Sequence, residues 1–445
     1  MVHTKFFIKT MGCQMNEYDS DFLAGSLIDL GLSPVDVPEA ADVLLINTCT
    51  VRAKPEQKAY SLLGRFSEIK NRKSDVILGV VGCLAQQKSA ELLKRFPGID
   101  FVLGPRDLSG IRGVIQELQS AIRKRKKIVA TELENSIPAP KTAFTRSNGG
   151  VTAFVSIMEG CNNFCSYCIV PYVRGREVSR SPDDIILEVR NLIACGVKEI
   201  TLLGQNVNSY CWAEARETSD FVSLLAKLDE IEGLRRVRFT TSHPKDLSGE
   251  LIECFGTLNK LCPHIHLPFQ AGSNEVLKRM KRRYTREKYM DHVARLREVV
   301  PDIAITSDVM VGFPGESEQD FESTLDLIRS VQFDGLFSFK YSDRKGTVSN
   351  EMPDKIGESE KSRRLKILQS LQKQITLIKN KAIEGRTVEV LVEGQSKKGG
   401  QLTGRTGSNK TVNFISDKEV IGEIVNVYIE RGFLNSLRGR QLLRM

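Results

Sequence analysis

Three cysteines lie close together in the segment 161–168, whose sequence is CNNFCSYC. Zinc sites usually have four nitrogen or sulfur ligands, and no fourth cysteine or histidine lies near Cys161, Cys165 and Cys168 in the chain. Three thiolates can instead hold three irons of a 4Fe–4S cluster and leave its fourth iron open to a substrate or cofactor. Three structural cysteines are the weaker alternative, because reactive thiols grouped in a polar loop are chemically costly to keep unused.

Three more cysteines, Cys13, Cys49 and Cys83, each follow a predicted strand in the amino-terminal part of the chain. The strands predicted there span residues 5–9, 42–47, 75–81 and 100–103. They alternate with amphipathic stretches, which predicts an α/β fold with an open, doubly wound parallel sheet. Loops at the carboxyl ends of parallel strands converge on one crevice, so we expect a second site made of three thiols. Three unrelated buried cysteines are the alternative.

Changes of pattern along the chain predict three domains and a linker. Residues 1–120 form the amino-terminal domain, and residues 121–150 form a linker that starts with a basic run. Residues 151–378 form a central domain in which strands alternate with amphipathic stretches, and this pattern predicts a partial TIM-like barrel. Its six predicted strands span residues 153–158, 199–203, 236–240, 264–268, 303–311 and 335–341. Sites in such barrels lie at the carboxyl ends of the strands, and Cys161 follows the first of them.

The carboxyl-terminal residues 379–445 differ from the rest in pattern and in charge. A helical stripe over residues 358–382 predicts a packing helix, and alternation with period two begins after Gly385. Short strand-like runs between glycine-rich turns predict a small antiparallel β-barrel. Residues 379–445 hold 12 Lys and Arg against 7 Asp and Glu, an excess of 5 out of the chain's net +9. Positive charge concentrated on a small barrel is suited to binding RNA.

The composition indicates the compartment in which the thiols work. Ten cysteines in 445 residues are far fewer than a disulfide scaffold contains. The amino terminus shows no secretory signal pattern, and no apolar stretch is long enough to span a bilayer. We therefore expect a cytoplasmic protein without membrane contact, in which reduced cysteines bind metal more readily than they form disulfides.

The sequence resembles the radical SAM methylthiotransferases over essentially its whole length. The cysteine triplet of segment 161–168, with Tyr167 before its last member, resembles the signature of the radical SAM superfamily. Segments 11–16 (MGCQMN) and 47–49 (NTC) match the first domain of the methylthiotransferases. Segment 404–439 resembles a TRAM domain, which is an RNA-binding barrel.

Within that family, segments 241–244 (TSHP) and 337–342 (FSFKYS) are most similar to the MiaB branch. This branch converts isopentenyl-adenosine beside the tRNA anticodon to its 2-methylthio form. The resemblance implies two 4Fe–4S clusters, one on the 161–168 triplet that makes a radical from S-adenosylmethionine (SAM), and one on the amino-terminal cysteines that carries the sulfur. It also implies two SAM molecules, tRNA as a partner, an electron donor of the flavodoxin or ferredoxin type, and a sulfur source.

The resemblance also suggests residues that contact SAM and RNA. The candidate SAM contacts follow three strands of the central domain and are Gly204, Gln205, Asn206, Gln270, Ser273, Gly312 and Glu316. Each is equally consistent with an ordinary turn. His243 is a candidate substrate contact or a core histidine. Arg405 and Lys410 of the barrel are candidate phosphate contacts or solvated surface charges. Arg174 would meet a phosphate or the SAM carboxylate, or lie in solvent. No catalytic side chain is assigned.

Two other functions fit the same residues. The first is the same chemistry on another substrate, either threonylcarbamoyl-adenosine in tRNA or an aspartate of a ribosomal protein. The second is a non-enzymatic iron–sulfur carrier or sensor with an RNA-binding tail. The basic barrel favours RNA over a protein substrate, and a carrier would release no 5′-deoxyadenosine from SAM.

Overall fold

The computed structural model describes residues 4–49, 53–120, 127–133, 150–214, 217–397, 399–416 and 419–442. The chain divides into two compact units. The first comprises residues 1–149, 154–162 and 169–191, and the second comprises residues 150–153, 163–168 and 192–445. None of the helices in the described ranges combines the length and the apolar character needed to cross a bilayer.

The first unit contains a six-stranded parallel sheet. Its strands are β1 (Lys5–Met11), β2 (Ser33–Pro34), β3 (Val43–Thr48), β4 (Ile77–Gly82), β5 (Phe101–Leu103) and β6 (Ile128–Ala130). Its helices are α1 (Gln14–Ile28), α2 (Ala53–Arg72), α3 (Cys83–Arg95) and α4 (Ile111–Ser120). The strand order is β2-β1-β3-β4-β5-β6, and every neighbouring pair is parallel.

Two apolar clusters cover the two faces of this sheet. Helices α1 and α4 supply one cluster, with Leu23, Leu27 and Ile115 fully buried. Helices α2 and α3 supply the other, with Phe66 and Leu92 fully buried. The central strands β3 and β4 are buried along their whole length, as expected for parallel strands covered on both faces. The predicted doubly wound sheet is therefore confirmed.

Strand β6 differs from the prediction, because it lies within residues 121–150, which we expected to form a linker. It pairs with β5 and is the edge strand of the sheet. Three residues are too few to show a period-two pattern, so the sequence alone does not reveal them. Of the basic run 123–127, only Lys127 lies within the described residues, and residues 134–149 lie outside them.

The loop that carries Cys161, Cys165 and Cys168 lies in a part of the chain where residues of the two units alternate in the sequence. The elements in this part are β7 (Thr152–Ser156), β8 (Met158–Glu159), α5 (Val170–Val173), β9 (Val178–Ser179) and α6 (Pro182–Ala194). Strands β8 and β9 form a short antiparallel pair in the first unit.

The second unit contains the remaining parallel strands of the predicted central domain and one antiparallel pair, Cys211–Glu214 with Glu217–Asp220. Its strands are β10 (Glu199–Leu203), β11 (Cys211–Glu214), β12 (Glu217–Asp220), β13 (Arg236–Phe239), β14 (His264–His266), β15 (Ala304–Val311) and β16 (Gly335–Lys340). The helices are α7 (Phe221–Asp229), α8 (Gly249–Thr257), α9 (Asn274–Arg279), α10 (Arg286–Val299), α11 (Glu318–Val331) and α12 (Glu358–Lys381). Strand β10 is parallel to β13, and β14, β15 and β16 form a second parallel group. A bridge between Val237 and Leu261 joins β13 to the chain that leads into β14.

A closed five-stranded barrel completes the second unit. Its strands are β17 (Thr387–Gln395), β18 (Leu402–Thr406), β19 (Thr411–Ile415), β20 (Ile424–Gly432) and β21 (Leu437–Gln441). The order is β17-β18-β19-β21-β20, and only the β19–β21 pair among these strands is parallel. Val390, Phe414 and Ile429 fill its core. The predicted small barrel is confirmed, with this one parallel pair as an addition.

Candidate functional sites

The three amino-terminal cysteines follow three adjacent strands that end level with one another. Met11, Thr48 and Gly82 are partners across β1, β3 and β4, so the row that they form closes one edge of the sheet. Cys13 is the N-cap of α1, Cys49 follows β3 directly, and Cys83 is the first residue of α3. The shortness of two of these connections, which the sequence did not indicate, places the thiols of Cys13 and Cys83 at the start of helices. Helix N-termini stabilise thiolates.

The charge states of these thiols differ. A hydrogen bond with Cys49, the charge of Arg174 and backbone N–H groups of α1 lower the pKa of Cys13 to about 6. Burial raises the pKa of Cys83, although Arg174 opposes this effect. Within the described residues, no three His, Cys, Asp or Glu side chains form a ready-made metal cage. The fit to an iron–sulfur cluster therefore rests on two observations. Three cysteines, none of them in a disulfide, converge at one edge of the sheet, and the cation of Arg174 lies beside them.

A buried amide network fixes the backbone around these cysteines. Asn16 and Asn47 are fully buried, and the Asn16 amide donates to Asn47 Oδ1 at 3.0 Å. Asn47 donates in turn to the Asn16 carbonyl oxygen at 2.9 Å and to Ser20 Oγ at 3.0 Å. The Cys13 N–H donates to Asn16 Oδ1 at 3.2 Å. Satisfied buried networks of this kind rigidify a site, so the loop of Cys13 is held in place before any ligand binds.

Replacing Gly82 by alanine is expected to destabilise the iron-free chain by roughly 1–3 kcal/mol. Gly82 has a φ of +92°, and a Cβ atom there would lie 2.5 Å from Asn47 Oδ1 and 2.7 Å from the Thr48 carbonyl oxygen. Chemical denaturation of the full-length chain without iron measures this loss. Gly64→Ala in α2 is the control, because its Cβ would meet nothing within 4 Å, and it should stabilise the helix by about 0.5–1 kcal/mol. Equal stability of Gly82→Ala and the parent would contradict the packing described here.

Arg174 lies beside the amino-terminal cysteines and not in solvent, which was one of the two surroundings that the sequence suggested. Its side chain is 3% exposed and forms a 2.9 Å ion pair with Asp19, which is fully buried. Its Nε–H donates to Cys83 Sγ at 3.3 Å. The alternative of solvent exposure is therefore wrong. Asp19 was not recognised as a functional candidate, because it lies 155 residues from Arg174 in the chain and a single acidic residue inside a helix carries no distinguishing pattern.

The 161–168 loop is divided between the two units. In the first unit, the Cys161 N–H donates to the Gly175 carbonyl oxygen at 3.2 Å. In the second unit, the Cys168 N–H donates to the Cys165 carbonyl oxygen at 2.9 Å, which closes a tight turn. The buried Arg282 donates from Nη1 to Cys165 Sγ at 3.5 Å and from Nη2 to the Pro268 carbonyl oxygen at 2.9 Å. Arg282, like Asp19, is a site residue that the sequence did not reveal.

The residues proposed to contact SAM lie at the carboxyl ends of parallel strands of the second unit. Asn206, which follows β10, is buried, and its Nδ2 donates to Asp246 Oδ2 at 2.8 Å. Its Oδ1 is buried and has no hydrogen-bond partner within the described ranges. Gly204 and Gln205 precede it in the same turn. Gln270 has a φ of 65°, an uncommon conformation for a residue other than glycine.

Two of the other SAM candidates have structural partners. The Glu316 carboxylate accepts from the Gly312 N–H at 3.0 Å and pairs with Arg364 of α12 at 2.6 Å. Ser273 donates to Asp320. These contacts hold the turns after β14 and β15 against α11 and α12. The geometry therefore favours Asn206 and Gln270 over Glu316 and Ser273 as residues that contact a ligand.

His243 is a buried, neutral imidazole. Burial, followed by the charges of Arg282 and Lys245, lowers the pKa of His243 to about 2. Its Nδ1 accepts from the Lys245 N–H at 3.1 Å, so the ring proton resides on Nε2. That Nε2 is buried without a hydrogen-bond partner among the described residues. His243 is thus only half satisfied by the protein, and it remains a candidate donor to a ligand.

The barrel residues predicted to contact phosphate differ in their surroundings. The Lys410 ammonium lies 2.9 Å from Asp334 Oδ1 and 3.0 Å from Asn380 Oδ1, and its side chain is 13% exposed. It therefore holds the barrel to the rest of the unit, and this pairing argues against a phosphate contact. Arg405 is 47% exposed, with Glu393 at 3.3 Å as its partner, and remains a candidate.

Two buried arginines of β13 also tie the barrel to the rest of the second unit. Arg238 donates to the carbonyl oxygens of Thr406 and Gly407, each at 2.7 Å, and Arg236 donates to that of Arg405 at 2.8 Å. Removing the barrel would leave both guanidinium groups without these acceptors. Substitutions on its surface are therefore a cleaner test of RNA binding than truncation.

An arginine-rich surface of the barrel was not recognised from the sequence. Arg431 and Arg438 are partners across β20 and β21, and their guanidinium groups lie 5.3 and 5.9 Å from the centre of the Phe433 ring. Arg440 lies 5.5 Å from the Tyr428 ring on the same strand pair. Exposed arginines interleaved with aromatic rings suit phosphates and stacked bases. The close spacing of Arg431, Phe433, Arg438 and Arg440 in the sequence was the available signal.

Three family models match consecutive parts of the chain. The radical SAM superfamily model matches residues 155–328, the TRAM domain model matches residues 381–442, and the model of an uncharacterized protein family, UPF0004, matches residues 5–104. The radical SAM fold implies a 4Fe–4S cluster and SAM as cofactors.

Curated relatives match almost the whole chain. A protein of Syntrophus aciditrophicus named tRNA-2-methylthio-N(6)-dimethylallyladenosine synthase is 52% identical to this chain, over 98% of this chain and 94% of the relative. The protein of that name from Geobacter sulfurreducens is 48% identical over 99% of this chain and 98% of its own length. The protein of that name from Clostridium botulinum is 47% identical over 98% of this chain and 97% of its own length.

Solved structures share the fold at low identity. A radical SAM methyltransferase, TsrM from Kitasatospora setae, bound to cobalamin and a [4Fe-4S] cluster, superposes with a TM-score of 0.58 at 14% identity, over 79% of this chain and 77% of that one. OxsB, a cobalamin-dependent S-adenosylmethionine radical enzyme, superposes with a TM-score of 0.51 at 12% identity, over 84% of this chain and 56% of that one. The full-length relatives and the arrangement of domains lead to one conclusion: this chain belongs to the radical SAM methylthiotransferase family, in the branch of the tRNA-2-methylthio-N(6)-dimethylallyladenosine synthases.

Proposed function

We propose that this enzyme adds a methylthio group to carbon-2 of isopentenyl-adenosine next to the anticodon of tRNA. The observation that carries the proposal is the convergence of Cys13, Cys49 and Cys83 at one sheet edge, in a chain that also contains the 161–168 triplet. We infer that each set of three thiolates holds a 4Fe–4S cluster with one open iron. The names of the full-length relatives support the choice of nucleoside.

The reaction requires chemistry that side chains do not possess. Carbon-2 of adenine bears an unactivated aromatic C–H bond, which acid–base and nucleophilic groups do not break. When bound, the two clusters and two SAM molecules would supply the radical and the methylated sulfur. The chain contributes the thiolates, and the hydrogen bond with Cys49 and the charge of Arg174 lower the pKa of Cys13, which favours the ionised form that binds metal. The Asn16–Asn47 network keeps the loop of Cys13 in place.

The remaining partners follow from this chemistry. We propose that the unsatisfied Asn206 Oδ1, the adjoining Gly204 and Gln205, and Gln270 contact SAM, and that His243 Nε2–H donates to SAM or to the substrate base. The radical step needs an electron from a donor of the flavodoxin or ferredoxin type, and the thiolation needs a sulfur source. The non-enzymatic alternative is not supported, because the full-length relatives are named as enzymes.

Nucleoside mass spectrometry of tRNA tests the proposal. A strain that lacks this gene should accumulate isopentenyl-adenosine, and a plasmid copy of the gene should restore the 2-methylthio form. A parallel analysis of threonylcarbamoyl-adenosine and of ribosomal proteins covers the alternative substrates. If the deletion instead removes a methylthio group from threonylcarbamoyl-adenosine or from a ribosomal protein, and leaves the isopentenyl-adenosine pool unchanged, that molecule is the substrate and the proposal is wrong.

Replacing Arg431 and Arg438 together by alanine is expected to weaken tRNA binding and to make it less salt-dependent. Each phosphate contact that is lost should reduce the slope of log K against log salt by about 0.7–0.9, so the slope of the double variant should fall by roughly 1.5. Filter binding of tRNA across a salt series measures both quantities.

The control for this experiment is Arg386→Ala. Arg386 is 62% exposed and lies 3.7 Å from Asp302. The substitution therefore removes one surface charge of the barrel without changing a contact to an aromatic ring. Its slope should remain close to that of the parent. Equal affinities and slopes for the double variant and the parent would show that this surface does not bind tRNA.

A further inference from the structure

We propose that Arg174 and Asp19 form a buried charge pair that sets the reduction potential of the cluster on Cys13, Cys49 and Cys83. Arg174 acts as a positioning residue that donates hydrogen bonds into this site. The inference rests on the proposed function, because it assumes that the three thiolates hold a cluster. It adds a role for two residues that are not cluster ligands.

The guanidinium of Arg174 has three donor nitrogens, and the protein supplies an acceptor to two of them. Nη2 pairs with Asp19 at 2.9 Å, and Nε–H donates to Cys83 Sγ at 3.3 Å. Nη1 is buried and has no partner within the described ranges. A buried donor without an acceptor is costly in a native protein, and Nη1 is therefore available to donate to a group bound at this site. Cluster sulfides, or a sulfur on the open iron, are acceptors of the required kind.

A second arginine holds Arg174 in this position. Arg106 is buried and donates from Nε to the Arg174 carbonyl oxygen at 3.0 Å and from Nη2 to the Arg176 carbonyl oxygen at 2.5 Å. Gly175, between these two acceptors, has a φ of +74°, and a Cβ there would lie 2.9 Å from the Arg106 guanidinium. The backbone on both sides of Gly175 is thus clamped, and Arg174 reaches the thiols from a fixed point.

Electrostatics predicts opposite effects for the two members of the pair. Reduction adds an electron to a site that already carries thiolate charge, and a fixed cation in a region of low dielectric constant favours this step. Hydrogen bonds to sulfur act in the same direction. Removing the charge of Arg174 should therefore lower the reduction potential, whereas removing the charge of Asp19 should raise it. A variant that merely loosens the structure has no reason to produce this pair of signs.

The test measures the potential directly rather than the activity of the enzyme. In a background in which Cys161, Cys165 and Cys168 are alanine, only the amino-terminal cluster contributes to the electron paramagnetic resonance signal. A redox titration of this parent, of Arg174→Gln and of Asp19→Asn should give potentials that shift in opposite directions. Arg174→Lys, which keeps the charge but not the planar donor edges, should lie between the parent and Arg174→Gln.

A matched control separates electrostatics from loss of a buried arginine. Arg180 lies in the same unit and pairs with Glu188 at 2.7 Å; Arg180→Gln should leave the potential unchanged. Unshifted potentials for both Arg174→Gln and Asp19→Asn, or shifts in one direction, would overturn the inference. If Arg174→Gln binds no iron, the other two variants test the inference: the potential of Asp19→Asn should be higher than that of the parent, and the potential of Arg174→Lys should be lower. A parent that binds no cluster would instead overturn the proposed function.

Discussion

Replacing Cys161, Cys165 or Cys168 by alanine is expected to reduce the production of 5′-deoxyadenosine from SAM to background. Each thiolate fills a coordination position that a methyl group cannot fill, so the cluster would lose one of its three protein ligands. Chromatography of reaction mixtures that contain the reconstituted enzyme, SAM and a chemical reductant measures the product. No tRNA is needed, so the result concerns radical formation alone.

Cys195→Ala is the control for this prediction. Cys195 is exposed and directly follows α6, so its replacement should leave SAM cleavage unchanged. Each single variant of the triplet should keep the iron of the amino-terminal site, because those ligands belong to another sheet. Undiminished 5′-deoxyadenosine from any one of the three variants would contradict the assignment of that cysteine.

Replacing Cys13, Cys49 and Cys83 together by alanine is expected to halve the iron content and to abolish thiolation of tRNA. The parent should bind about eight irons in two 4Fe–4S clusters, and the variant about four. SAM cleavage should continue, because the 161–168 triplet is intact, but it should be uncoupled from sulfur transfer. Iron and sulfide analysis, together with nucleoside mass spectrometry, measures these outcomes.

The buried location of Cys262 provides a comparison for this variant. Burial raises the pKa of Cys262 to about 11, which makes this thiol a poor metal ligand; Cys262→Ala should therefore keep all the iron. Full iron content in the triple variant would show that the convergence of Cys13, Cys49 and Cys83 serves packing rather than metal binding. A loss of iron together with a loss of SAM cleavage would indicate that the two sites depend on each other.

The sequence by itself determined the fold class and the positions of the six cysteines. The runs VLLINT and ILGVVG are apolar throughout because β3 and β4 are covered on both faces, and this pattern is local to each strand. The placement of Cys13, Cys49 and Cys83 after successive strands then predicted a common edge, since parallel strands all end on the same side. Period-two alternation and turn residues predicted the barrel for the same local reason.

Only the tertiary structure decided which polar side chains meet. Arg174 finds Asp19 and Cys83 at separations of 155 and 91 residues in the chain, and Lys410 finds Asp334 at a separation of 76. In the sequence, Lys410 and Arg405 are equivalent basic residues of one barrel. In the structure, Lys410 forms a largely buried ion pair, whereas Arg405 is half exposed. Burial and ion pairing depend on which elements pack together, and no local pattern of residue types contains that information.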